Sequence, residues 1–280
     1  MKSFDDPSYT KDLEHPSKNI FISLSKRNFY ERAAISAYVL RQGHTPISPF
    51  MNFDYNLGGN VPKEAIRIAN NSLIKRSDEL WVFDEVSDGV LVEIYLAKKH
   101  KKPVRYLARV PGDDHAFVPI MQDQVRLEDV SPWMWDWLHS GKDLARWHPR
   151  LRFNKTWPIV YPAYSKRNFY WQMHISKYCL DHKMIPLNPF MLFRYFLGGA
   201  APREQVYRAN ADIVRLSDAV WTFGEISDGV LSEVTLKKKL GGQVAHYRTE
   251  GSNPVSFRKV GPRTLVFEDE VPAASRNQLS

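Results

Sequence analysis

Ser25-Lys26-Arg27-Asn28-Phe29-Tyr30 returns unchanged at 165–170, and Ser87-Asp88-Gly89-Val90-Leu91 returns unchanged at 227–231. The offset is 140 residues in both cases, and Asn56-Leu57-Gly58-Gly59 is echoed at the same spacing by Phe196-Leu197-Gly198-Gly199. Between 20–106 and 160–246, 38 of 87 positions are identical without a gap. The register still holds at Leu127-Glu128-Asp129 against Phe267-Glu268-Asp269. A period this long exceeds any solenoid repeat, so the chain reads as one domain duplicated in tandem.

Working outward from the repeated stretches gives the elements of each copy. In the first, Ile20–Leu24 reads as a short buried strand and Asn28–Gln42 as a helical pattern stopped by Gly43. Thr45–Pro49 is strand-like, followed by a loop with Gly58-Gly59; Pro62 suits a helix first turn, and 63–76 continues as helix. Leu80–Phe83 is a strand, 88–100 a helix, Val104–Leu107 a strand, and Val125–Leu127 the expected last strand. Alternating strands and helices imply an α/β fold: two Rossmann-like, flavodoxin-like domains, each a parallel sheet of about five strands flanked by helices. Ligands then bind at the carboxyl ends of the strands. The organisation is a polar extension over 1–18, a first domain over 19–130 and a linker over 131–157. A second domain covers 158–270, and a tail 271–280. The linker holds five tryptophans among basic residues and is expected to pack the two copies together.

Composition narrows the function classes. No apolar run reaches the ~20 residues of a membrane span, and the start is polar, without a signal-peptide segment. Cys179 is the one cysteine, which excludes a disulfide framework and a cysteine metal site and favours a reducing, cytoplasmic setting. A net charge of +8 suggests an anionic partner, but the charge is dispersed. The lysine runs at 98–102 and 237–239 fall near helix C-termini, where cations suit the dipole without any ligand. None of the nine histidines has a histidine at the matching position, so chemistry shared by both copies cannot rest on histidine. No metal or cofactor is expected.

Two polar constellations recur. Ser25, Lys26, Arg27 and Asn28, with Ser165, Lys166, Arg167 and Asn168, lie between the first strand and its helix. Free backbone N–H groups, a hydroxyl, two cations and an amide there would cradle a phosphate. The same residues could also be a helix cap followed by solvated charges, although capping does not call for Lys-Arg twice. Ser87, Asp88, Gly89 and Glu93, with Ser227, Asp228, Gly229 and Glu233, open the helix after the third strand. Glu93 sits among Val90, Leu91 and Ile94, and Glu233 among Val230, Leu231 and Val234. A carboxylate beside apolar groups is desolvated and reactive; the bland alternative is an exposed glutamate behind a cap. Asn70 and Asn210 could read a base edge or a sugar hydroxyl, or simply be surface or capping residues. Asp78 and Asp218 read as turn residues at the amino end of a strand.

These elements, in this order, resemble the nucleoside 2-deoxyribosyltransferase superfamily, and within it the 2′-deoxynucleoside 5′-phosphate N-hydrolases and related nucleotide N-glycosidases. The resemblance covers roughly 20–107 and 160–247. Its Ser-x-Arg phosphate contact matches Ser25/Arg27 and Ser165/Arg167. Its Ser-x-Gly-x-x-x-Glu motif matches Ser87, Gly89 and Glu93, and Ser227, Gly229 and Glu233. Its first-strand aromatic matches Phe21 and Tyr161. The resemblance implies that serine holds phosphate, that glutamate attacks the anomeric carbon, and that Phe21, Tyr161, Asn70 and Asn210 face base or sugar. It also implies paired subunits, a role the two copies could fill within one chain, with further homo-oligomers on top. Asn70 and Asn210 depart from the pattern, which carries an aspartate there; Asp88 and Asp228, or Asp212 in copy two, could act as the acid instead. Asp84 becomes Gly224 and Phe21 becomes Tyr161, which places copy two nearer the family. The implied function is an N-glycosidase or deoxyribosyltransferase acting on nucleotides or nucleosides. A non-catalytic nucleotide-binding tandem module is the alternative, and a nucleic-acid-associated base-processing protein the second. No dinucleotide fingerprint follows a strand.

Overall fold

The computed structural model describes residues 16–152, 155–194, 197–251 and 255–276. Most of the expected polar extension, 1–15, and the end of the tail, 277–280, lie outside the described residues.

In the first copy, β1 is Asn19–Leu24, β2 Thr45–Ile47, β3 Glu79–Phe83, β4 Val104–Val110 and β5 Asp113–Ile120. The helices are α1 (Arg32–Arg41), α2 (Pro49–Asn52), α3 (Asp54–Asn60), α4 (Lys63–Arg76) and α5 (Asp88–Lys99). The sheet order is β2-β1-β3-β4-β5, with parallel pairing from β2 to β4. β1 and β3 are buried almost throughout, which is why they read as continuous apolar runs: helices cover both faces.

The second copy repeats this layout. Its strands are β6 (Ile159–Tyr164), β7 (Ile185–Pro186), β8 (Ala219–Phe223), β9 (Gln243–Glu250) and β10 (Ser256–Val260), in the order β10-β9-β8-β6-β7. Its longer helices match α1, α4 and α5: Gln172–Asp181, Arg203–Leu216 and Asp228–Lys239. The chain is therefore a mixed α/β protein with two five-stranded, mostly parallel sheets flanked by helices.

Three expectations about elements are corrected. The fifth strand is not Val125–Leu127, which makes a single bridge from Leu127 to Val86. It is β5, which turns back antiparallel on β4 through Gly112 at φ 82°; the all-parallel sheet thus ends in an antiparallel edge strand, as β10 ends the other. The first helix begins at Arg32, because Lys26–Glu31 forms a tighter 3-10 turn in which Asn28 leaves helical geometry. The loop around Gly58-Gly59 contains the short helices α2 and α3.

The two copies meet around an approximate two-fold axis. Asp54 and Arg194 stand at the same position of the repeat, and they pair with each other. A residue that meets its own counterpart marks the axis of an isologous contact. Off the axis, equivalent contacts use different chemistry. The Ser17 amide donates to Asp212 at 3.2 Å, and the Trp157 amide, one repeat on, donates to the Ser72 hydroxyl at 3.0 Å. Asn52 and Asn188, both fully buried, seal the centre: Asn52 donates to the Pro186 carbonyl at 2.7 Å and accepts from the Asn188 amide at 3.1 Å. The core is continuous across this contact. The linker helix Pro132–His139 buries Trp135 and Leu138 in the same core.

Candidate functional site

Glu93 lies in the second turn of α5, directed back at β1. Ser23 donates to its Oε2 at 2.5 Å and the Asn70 amide to its Oε1 at 3.3 Å. Burial pushes the carboxyl up to about 7, against the smaller opposing effect of the two donors. Glu233 repeats this: burial pushes it up to about 7 as well, and its donors are the Tyr161 hydroxyl and the Asn210 amide, the latter at 2.9 Å. Both glutamates are crowded by protein yet keep part of their surface in contact with solvent. Tyr161 itself is held far above the ordinary phenol range, by burial first and then by the neighbouring Glu233, so it stays a neutral donor.

The first-strand aromatic is therefore part of the site in copy two only. Phe21 is fully buried and has no hydroxyl. Ser23, two residues further along β1 and so on the same strand face, supplies the donor instead, and its counterpart is Ala163. The hydroxyl has moved two residues along the strand, on the same face, between copies. Sequence reasoning missed Ser23, because each column taken separately looks diverged. Asn70 and Asn210 serve as amide donors that hold the glutamates.

At the strand-to-helix turn, the Ser25 hydroxyl accepts from the Arg27 amide at 3.2 Å, a local cap. It also donates to Glu128, whose other oxygen pairs with the Arg27 guanidinium at 2.7 Å. Asn28 donates to Glu85 at 2.7 Å, and Arg126 donates to the same carboxylate at 2.6 Å. A carboxylate thus sits where the sequence placed a phosphate. Copy two is looser: Arg167 lies 3.8 Å from Glu268 and 3.6 Å from Glu225, and Asn168 turns to the Phe223 carbonyl. Gly224 makes that turn possible, since a Cβ there would stand 2.3 Å from the Asn168 amide nitrogen. Glu128 and Glu268 were visible in the sequence only as the far end of the repeat register. Lys26 and Lys166 are exposed.

Ser87 and Ser227 precede the helices that carry the glutamates; Ser227 caps the Val230 amide at 3.4 Å. Gly89 and Gly229 are exposed, and a Cβ on either would meet only a serine hydroxyl oxygen at 3.9 Å. Asp88 is engaged by the linker: His148 lies at 2.5 Å and Arg150 at 2.7 Å. Asp78 and Asp218 lie apart from the site, accepting the Asn19 and Ile159 amides at 2.7 and 2.8 Å at the strands' amino ends.

Ser23 and Ser25 share one face of β1 and are about 7 Å apart by strand geometry. The first turn, the Glu93 carboxylate and the start of α5 therefore gather at one carboxyl edge of the parallel sheet. Among the described residues no cluster of three or more His, Cys, Asp or Glu is arranged to hold a metal ion, and no helix is long and apolar enough to cross a membrane. Residues 21–107 match the model of a domain of unknown function, DUF7768, a stretch that contains Ser23, Ser25, Asn70, Ser87 and Glu93 but not Glu128. No curated protein and no solved structure matches the chain.

Proposed function

We propose that the chain cleaves or exchanges the N-glycosidic bond of a nucleoside 5′-monophosphate, each copy being a Rossmann-like domain of the nucleoside 2-deoxyribosyltransferase kind. One observation carries this reading: in both copies a desolvated glutamate, pushed up to about 7, is held by a hydroxyl and an amide at the sheet edge where the Ser-x-Arg turn also lies. The ionised glutamate attacks C1′ of the sugar. The C–N bond breaks, its electron pair leaves with the base, and an acid protonates that base. Water then attacks C1′, releases the carboxylate and gives a sugar 5-phosphate; a second base in place of water gives exchange. Ser25 and Arg27, with Ser165 and Arg167, would hold the phosphate together with the helix N-termini at Ser87 and Ser227. For that, Glu128 and Glu268 must give way to the incoming anion. Asp88 and Asp228 remain the candidate acids. The two copies would stand for the paired subunits of related enzymes, in a cytoplasmic setting.

A nucleotide-binding module without turnover is favoured by one feature: Asn70 and Asn210 hold the glutamates as amides, and an amide cannot supply the proton that an aspartic acid at that position would. The two readings separate on a panel of ribo- and deoxynucleoside monophosphates, with free base followed by chromatography. The glycosidase releases base from at least one of them and loses this in the E93Q/E233Q variant. Tight binding without release, or release that survives the double variant, overturns it.

A further inference from the structure

The two glutamate sites differ in three ways, and each leaves a group of the second less engaged by its own chain. In the first, Ser23 and Asn70 each bond a different oxygen of Glu93. In the second, Tyr161 and Asn210 converge on Oε1 of Glu233, so Oε2 keeps its lone pairs for a reacting carbon. In the first, Ser25 and Arg27 clamp Glu128. In the second, that clamp is slack: the Arg167 guanidinium stands 3.8 Å from Glu268, and Oε1 of this buried carboxylate accepts no hydrogen bond among the described residues. In the first, Asp88 is held by His148 and Arg150 from the linker. In the second, Asp228 has no side-chain partner among the described residues.

We propose that the second pocket carries the turnover, and that the first is a closed copy whose glutamate, cradle and aspartate are each tied by its own chain. The position of the strand hydroxyl, at 161 rather than 23, is the switch: it decides whether one glutamate oxygen stays uncommitted. A donor on each oxygen lowers the nucleophilicity of both, whereas two donors on one oxygen leave the other at full strength. This inference rests on the proposed glycosidase reading and adds the division of labour between the copies.

The test uses the full chain and nucleoside monophosphates. The E233Q variant, which leaves only the first pocket, should lose base release by at least ~100-fold. Rebuilding the first pocket in that background as F21Y/S23A should restore release by about 10-fold or more. The reverse exchange, Y161F/A163S, should lower kcat by about 10-fold and displace the pH midpoint of kcat, which a merely structural role would leave in place. Should F21Y/S23A fail to fold, E128Q in the E233Q background opens the same pocket at its cradle and should raise release. E233Q that keeps half the wild-type turnover overturns the proposal, as does a folded F21Y/S23A with no gain. If the wild-type chain releases no base, the glycosidase reading fails by itself. The inequality is then read from calorimetric titration with the same monophosphates, where one site per chain supports it and two equal sites overturn it.

Discussion

Ser23 donates its hydroxyl to Glu93, and in the second copy the same bond reaches Glu233 from Tyr161, two strand positions earlier in the repeat. Two lineages of one domain have kept a hydroxyl on a buried glutamate while moving its source, and this points to a requirement of the glutamate rather than of the strand. Removing the donor should therefore raise the Glu93 carboxyl above about 7, since that bond favours the ionised form. Carboxyl-stretch infrared titration of S23A against wild type would show it; an unmoved titration means that Ser23 is only a packing residue.

Each glutamate also affects how stability depends on pH. Glu233 is pushed from an ordinary 4.5 up to about 7, so the folded chain binds this proton more tightly than the unfolded chain. Stability from this group is fully present below about 4.5 and is lost as pH rises towards about 7, at a cost of roughly 2–3 kcal/mol. Glutamine mimics the neutral acid. E233Q should therefore melt close to wild type at pH 5 and higher than wild type at pH 8. Equal melting at both values contradicts the desolvated carboxyl.

Turnover has the opposite sign, because the nucleophile is the carboxylate. Base release should rise as pH passes through about 7 and level off above it. A rate already flat from pH 5 upwards would mean that the attacking group is ionised throughout, which Glu233 in this setting is not.

Asp54 and Arg194, one repeat apart and paired on the pseudo-two-fold axis, make the two faces complementary to each other and repulsive to themselves. D54R or R194D alone should destabilise the chain by about 1–3 kcal/mol, and the double exchange D54R/R194D should recover most of the loss. Urea unfolding measures the cycle. Additive losses would show that the pair contributes no coupling across the axis.

The duplication explains what could be read from the sequence. Ser25, Ser87 and Glu93 stood out because they recur at one spacing, and the central strands stood out because helices on both faces make them uniformly apolar. Ser23 did not, because its function moved to another column of the repeat and only the shared face of β1 reconnects Phe21/Ser23 with Tyr161/Ala163. Glu128 was hidden because it reaches Ser25 across 103 residues of chain, a contact that no local pattern encodes. The strand β5 was missed although Pro111-Gly112 is a fair turn signal: its polar residues and Pro119 argue against a central strand and are tolerated on an edge.

The central claim, a glutamate that takes the sugar, is tested most directly by acid-quenching the chain during turnover of a cleaved monophosphate and weighing its proteolytic peptides. The expected result is a 5-phosphoglycosyl ester of the Glu233 carboxylate on its peptide, absent in E233Q. Base release with no adduct on either glutamate peptide, persisting in E93Q/E233Q, would contradict it.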